Sequence, residues 1–288
     1  MSSLTETPPA VRTAPARRIA VPAVPASPPR GLGRRIGRIT GAVLTRIVAI
    51  AALAVIWEVF PRLELVNPVF LPPLTEVLAA WKDLLVSGEL GNHTSASLAR
   101  SAAGFGLAIA AAVPLGLLIG WYTPVANLLN PLLEVFRNTA ALAILPVFVL
   151  ILGLGETSKV AIIFYGCTWP ILLNTVSGVR TVDPLLIKSA RSLGLGPVRL
   201  FQKVVLPAAV PTIFTGIRLA GSASILILIA AEMVGAKAGL GYLINYAQYN
   251  FAVPDMYAGI ITISAIGLLV NQLLVVTERR FSTWRTAN

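Results

Sequence analysis

Apolar residues along this chain come in long blocks separated by short polar punctuation. No charged residue occurs in 101–133, 138–155, 160–179 or 256–277. A helix needs about 20 mainly apolar residues to cross the hydrocarbon core of a bilayer. In lipid, every backbone N–H and C=O must be satisfied within the structure. The pattern therefore predicts an all-α polytopic membrane protein with about six transmembrane helices, near 42–60, 98–121, 131–152, 159–179, 211–233 and 256–277. Pro114 is expected to kink the second span and Pro146 to bend the third. Gly104, Gly106, Gly116 and Gly120 are expected to let a neighbouring helix approach closely. Glu134 and Arg137 open the third span three residues apart, on one face where they can pair. Arg218 falls near the inner end of the fifth span and Glu232 near its outer end.

Between the spans the punctuation is readable too. Residues 61–97 are mixed, with a turn at 67–73 and a helix at 75–86 that Ser87-Gly88 would end. Phe70, Leu74, Leu78 and Trp81 would lay this region along the outer membrane surface. Outer turns are expected at 153–158 and from Ala238 onward. Residues 1–40 are rich in Pro, Ala, Ser and Arg, a composition that cannot offset the entropy of ordering. They are read as a disordered cytoplasmic tail touching anionic lipid headgroups, with residues 41–288 forming the membrane domain. Proline-rich sequence separates the early arginines from the first apolar run, which does not fit a signal peptide.

The longest polar island is 182–207, VDPLLIKSARSLGLGPVRLFQKVVLP. Asp183 and Pro184 read as the N-cap and first residue of a helix. Leu186, Ala190 and Leu193 follow at helical spacing as an apolar stripe, with Lys188 and Arg191 beside it. Gly194 suits the left-handed position that ends a helix, and Gly196-Pro197 prevents its resumption. A second short amphipathic run, 198–206, carries Phe201, Val204 and Val205 against Arg199, Gln202 and Lys203. The prediction is a short helix, a glycine hinge and another short helix, exposed between two spans.

Composition narrows the function. Hydrophobic residues make up 56% and charged residues 12% of the chain, and mean hydropathy is +0.80; soluble proteins carry roughly twice that charged fraction. A net charge of +11 does not point to nucleic acid, because most of the Lys and Arg residues lie before the first span, in the 180–207 region, or after the last span. The positive-inside rule puts all three in the cytoplasm, together with both termini. Cys167 is the single cysteine, which leaves no intramolecular disulfide and no cysteine-rich metal site. His93, the single histidine, has no metal-ligand partner at helical spacing and reads as a polar loop residue.

The 182–207 island resembles the cytoplasmic EAA loop of ABC-importer permeases. Ser189-Ala190-Arg191-Ser192, Gly194, Phe201 and Leu206-Pro207 match its form, while Lys188 stands where that loop usually begins with glutamate. Further segments resemble the nitrate, sulfonate and taurine branch of these permeases: Arg137-Asn138 before Leu142-Ala-Ile-Leu-Pro146, Ala231-Glu232-Met233 with Gly239-Leu-Gly-Tyr-Leu243, and the Leu71-Pro72-Pro73 turn. The resemblance covers about 55–285. It implies the permease subunit of an ATP-driven importer in the bacterial inner membrane, working as a pair of copies. Lys188, Ser189, Ala190, Arg191, Ser192, Gly194, Phe201 and Pro207 would dock two copies of a separate ATPase. An extracytoplasmic binding protein would deliver a sulfonate-, taurine- or nitrate-like anion. Glu134, Arg137, Arg218 and Glu232 are candidates for the translocation pathway or for structural roles.

No catalytic or metal site is expected on this chain, and no cofactor. ATP and magnesium would be handled by the partner, since the chain lacks a GxxxxGK[ST] phosphate loop. Cargo of another kind, such as an aromatic acid or vitamin precursor, remains an alternative. A secondary transporter would place ionisable groups near mid-membrane, whereas the charges here cluster at span ends. A membrane-embedded enzyme would need a catalytic constellation that the spans do not supply.

Overall fold

The computed structural model describes residues 32–281, with side chains at Thr45 and from Ile47 to Arg280. Of the expected tail at 1–40, residues 1–31 lie outside the described residues, and residues 32–40 are not a disordered tail but the first turns of a helix that begins at Leu32. Every regular element among the described residues is helical. The chain divides into two compact units, Met1–Leu53 and Ala54–Asn288. The first contributes residues 32–53 of α1 (Leu32–Arg62), and the second contributes everything below.

At its C-terminal end α1 organises the segment that follows. Pro73 gives α2 (Leu74–Val86) no side-chain cap, and Glu58 of α1 takes over that task. Its carboxylate accepts from the Thr75 N–H and the Thr75 hydroxyl, both at 3.0 Å, a negative charge where the helix dipole favours one. Trp81 is drawn into the packing of the last helix. Its Nε1–H donates to Thr262 Oγ1 at 3.0 Å, and its ring packs on a cluster of Leu84, Leu90, Leu240, Leu243 and Ala258. An indole packed against an apolar cluster usually finds a hydrogen-bond partner, and for the half-buried Trp81 the last helix provides it.

Gly88, at φ +81°, turns the chain into α3 (Glu89–Trp121). At 33 residues and 1.5 Å per residue, α3 is about 50 Å long and exceeds a hydrocarbon core of about 30 Å. It packs along α6 (Glu156–Arg180) through small residues four apart. A Cβ on Gly104, Gly116 or Gly120 would come within 2.7 Å of the Cβ of Ile163, Thr175 or Val179 respectively. Ala108 and Ala112 continue the same line, fully buried. Gly106 is different: nothing lies within 4 Å of its Cβ position, so its expected part in close packing is corrected.

The third predicted span is not one helix. α4 (Thr123–Asn138) and α5 (Ala141–Leu152) meet at 95°. The break falls at Thr139 and Ala140, both extended, and Pro146 sits inside α5. Asn138 Nδ2 donates to the Glu134 carbonyl at 2.8 Å and Thr139 Oγ1 to the Val135 carbonyl at 2.9 Å. These side chains take over carbonyls that a continuing helix would have used. α5, with 12 residues, reaches only about 18 Å.

The remaining elements are α7 (Pro184–Ser192), α8 (Pro197–Leu200), a π-helical turn (Phe201–Val205), α9 (Leu206–Met233), α10 (Leu240–Tyr249) and α11 (Val253–Phe281). Among the described residues, four helical stretches are long and apolar enough to span, at Glu89–Trp121, Glu156–Arg180, Pro197–Met233 and Val253–Arg280. The bent α4–α5 pair makes a fifth, and α1 covers the first predicted span. The main core lies where α3, α5, α6 and α9 meet, around Ile162, Ile163, Ile171 and Leu172. Cys167 is buried within it.

Candidate functional site

The 182–207 loop is built from local rules. Asp183 Oδ1 accepts from the Leu185 N–H at 2.8 Å, which makes it the N-cap of α7. At the other end the Gly194 N–H reaches the Arg191 carbonyl at 2.9 Å and the Leu195 N–H the Ala190 carbonyl at 3.2 Å. This pair of bonds is a Schellman motif, and Gly194 supplies its left-handed residue at φ +79°.

The buried face of α7 is not the predicted stripe. Val182 and Ala190 are buried and Ile187 packs with Val179, Val205, Ala209 and Ile213, while Leu186 and Leu193 are exposed. Leu193 is 80% exposed and Val198 69%, beside exposed Lys188, Arg191, Arg199 and Lys203. Ser189, Ser192, Gly194 and Pro207 are exposed as well, and Phe201 is half-buried, edge-on to Trp121 at 5.2 Å.

The second half of the loop is not a separate helix either. From Pro197 the chain runs unbroken to Met233 over 37 residues. Pro207 has no N–H to give to the carbonyl four residues back, and the chain absorbs this in the π turn, where the Leu206 N–H bonds the Phe201 carbonyl. The hinge of the loop is therefore Gly194–Gly196 alone, and everything after it is the start of α9.

The other four candidates fall in different places. Glu134 and Arg137 are exposed on α4, and no ion pair joins them. Arg218 Nε pairs with Glu278 Oε2 at 3.2 Å, and Thr215 Oγ1 reaches the same carboxylate at 3.1 Å, so α9 is tied to α11 near the loop end of the bundle. Glu232 is at the opposite end, with its side chain 0% exposed.

Around Glu232 the structure assembles a cluster that was not legible in the sequence. Its carboxylate accepts from Ser97 Oγ at 2.8 Å, Arg100 Nη1 at 2.7 Å and the Gly241 N–H at 2.9 Å. Arg100, only 6% exposed, forks onto Glu156 through Nε and Nη2, the latter at 2.7 Å. It also donates to the Ala238 carbonyl at 2.6 Å. His93 is helical: its Nδ1 accepts from the Gly239 N–H at 3.1 Å, which leaves the ring proton on Nε2. Ser97 Oγ accepts from the Leu240 N–H at 2.8 Å. His93, Ser97 and Arg100 have the i, i+4, i+7 spacing of one helix face, the only sequence signal that could have found them. Nearby, Lys159 is buried and caps the Leu154 and Gly155 carbonyls at 2.7 and 3.0 Å.

A third grouping rings the α4–α5 break. Phe136 stacks on Trp169 with centroids 5.6 Å apart and planes at 7°, and Tyr165 meets Trp169 edge-on at 5.6 Å. Tyr165 OH donates to the Phe136 carbonyl at 3.3 Å.

Residues 112–283, from the middle of α3 through the loop and beyond α11, match the family described as the binding-protein-dependent transport system inner membrane component. The chain belongs to that family. It is 35% identical over 237 residues to the putative aliphatic sulfonates transport permease protein of Bacillus subtilis, covering 82% of this chain and 86% of that protein. The taurine transport system permease protein of Escherichia coli is 33% identical over 249 residues, covering 84% and 90%. A solved structure of the MetNI methionine ABC transporter in an inward-facing conformation has the same fold. Its TM-score is 0.57 at 17% identity, covering 65% of this chain and 93% of that one. The chain is thus an ABC-transporter permease of the inner membrane.

Proposed function

We propose that this permease imports a small anionic or zwitterionic solute of the sulfonate or taurine kind, delivered from outside by a binding protein. The observation that carries the cargo class is the pair of relatives named for aliphatic sulfonates and taurine, each matched over more than four-fifths of both chains. Two copies line the pathway, with the 182–207 loop and both termini in the cytoplasm. ATP is hydrolysed on a separate subunit docked on that loop. The exposed Leu185, Leu186, Leu193 and Val198 support the docking, because an apolar face amid basic side chains on a polar loop suits a partner's groove. Because α8, the π turn and α9 are continuous, a push on the loop is carried into α9 without an intervening joint. Closure of the ATPase pair would move α9 between two discrete arrangements. Arg137, Lys188 and Arg191 provide positive charge toward an anion, while the Arg218 charge is offset by Glu278.

A strain lacking this permease should lose growth on taurine and alkanesulfonates as sole sulfur source, and an ATPase subunit should co-purify with the permease. Unimpaired growth on every small anion, with lost uptake of a neutral or cationic compound, would overturn the cargo reading. The stacked Phe136–Trp169 pair with Tyr165 favours a second reading, an aromatic acid. Competition of labelled taurine uptake by benzoate-type acids separates the two, since an aromatic cargo competes and an alkanesulfonate permease ignores it.

A further inference from the structure

Three features of the Glu232 cluster belong together. The first is geometric. The backbone of the turn Ala238–Gly241 is gripped at every polar atom for which the structure shows a side-chain bond. His93, Ser97 and Arg100 approach from one face of α3 and Glu232 from α9. Gly239, at φ +121°, leaves room for the Glu232 carboxylate, which lies where its Cβ would stand, and a Cβ on Gly241 would meet the Ile229 carbonyl at 2.6 Å and the Glu232 Cβ at 2.7 Å. The N–H groups of Gly239, Leu240 and Gly241, which open α10 and have no partner within the helix, are all taken.

The second feature is electrostatic. Among the described residues, Arg100 is the single group with an ion pair to both carboxylates, one fully buried on α9 and one 66% exposed at the first residue of α6. With Lys159 it balances them to zero net charge, which is the condition for keeping ions away from water. The third is mechanical. Beyond Arg100, α3 and α6 are already interlocked through Gly104 and Ile163. The ion cluster extends that joint to α9 and α10, which the glycine stripe does not reach.

We propose that Arg100 is a positioning residue for transport: it clamps the outer ends of α3, α6 and α9 and the start of α10 into one rigid piece, so that α9's motion opens the outer mouth as a unit. The inference rests on the reading that α9 lines the pathway with its Met233 end outside. A loose turn at 235–241 would let the outer end of α9 yield while its inner end is driven, and the stroke would be dissipated.

The test compares the full-length permease, expressed with its native partners, as wild type, Arg100→Lys and Glu156→Gln. Arg100→Lys keeps the cation and loses the fork that reaches two carboxylates and a carbonyl at once. Hydrogen exchange of the Gly239, Leu240 and Gly241 amides should rise by roughly tenfold or more in Arg100→Lys. Glu156→Gln should leave those amides protected, because Arg100 keeps its bonds to the Glu232 carboxylate and the Ala238 carbonyl and so still fixes the turn. Taurine uptake by whole cells, normalised to permease in the membrane, should show a lower Vmax in Arg100→Lys with an unchanged half-saturating concentration. A folding defect alone would reduce Vmax only in step with protein level. Exchange equal to wild type, or raised exchange with wild-type Vmax per molecule, overturns the proposal. Should the wild type take up no taurine, the cargo reading fails and the exchange comparison decides the clamp by itself.

Discussion

Gly194 offers a perturbation whose size can be worked out in advance. Its φ is +79°, and no atom lies within 4 Å of the place its Cβ would take. Gly196, two residues on, has equally open surroundings but an ordinary φ of −67°. An alanine at 194 therefore displaces nothing and incurs only the left-handed backbone cost, about 1–2 kcal/mol. An alanine at 196 incurs neither. A cost of that size shifts a local equilibrium by roughly 5- to 30-fold, here the equilibrium between the ordered Schellman turn and a loop in which α7 is no longer held against α8. Membrane insertion and span packing should be unchanged in both variants. ATP hydrolysis stimulated by loaded binding protein should fall by up to about that factor in Gly194→Ala and stay near wild type in Gly196→Ala. Gly194→Asn should recover part of the loss, because asparagine tolerates the left-handed region. Gly194→Asp should do worse, since it sets a carboxylate beside the exposed Lys188, Arg191, Arg199 and Lys203 that a partner's groove would meet. The assay is ATPase stimulation in reconstituted membranes, with pull-down of the ATPase as the binding control. Equal stimulation in Gly194→Ala and Gly196→Ala at equal membrane levels would refute the reasoning.

Gly104→Ala places a Cβ 2.7 Å from Ile163 and should destabilise the α3–α6 pair by about 1–3 kcal/mol, whereas Gly106→Ala should be neutral or stabilising by up to about 1 kcal/mol; equal thermal transitions in detergent would contradict this. Trp81→Phe should cost about 1 kcal/mol for its bond to Thr262, and in a double-mutant cycle with Thr262→Val the two losses should not add. Single cysteines at Ser87 and Ser192 in a Cys167→Ser background should react with an impermeant maleimide from opposite sides of the membrane. Labelling of both from one side would sink the topology.

Where one residue's chemistry dictates the backbone, the sequence was enough: Asp183 caps α7, Gly194 ends it in the left-handed region, and the 101–133 block marks a span. Where two signals compete, periodicity misled. Leu186, Ala190 and Leu193 share a helix face, but Val182, Ile187 and Ala190 meet the core, because the direction of the loop's return decides which side is covered. The third span looked continuous because no proline or glycine marks Thr139; the break comes from side chains that cap backward, a weak local signal. Arg100 was invisible for another reason. Its partners lie 56 and 132 residues away in sequence, and an arginine at the edge of an apolar block is ordinarily explained by snorkelling. Glu232 was singled out in the sequence and His93 was misread as a loop residue, while Ser97 and Arg100 on the same face of α3 were not noticed.

The π turn at Phe201–Val205 also sets a rotational phase. One residue beyond the α-helical count, at about 100° per residue, offsets the faces of α8 from those of α9 by roughly a quarter turn. A helical wheel drawn straight from Pro197 to Met233 would therefore misplace every side chain on one side of the turn. Removing a single residue from 201–205 would take out the π turn and swing Val198 and Arg199 around the rod, away from the surface that now presents them beside α7. The length of this segment is thus fixed by orientation rather than by reach, and insertions or deletions there should be far less tolerated than substitutions.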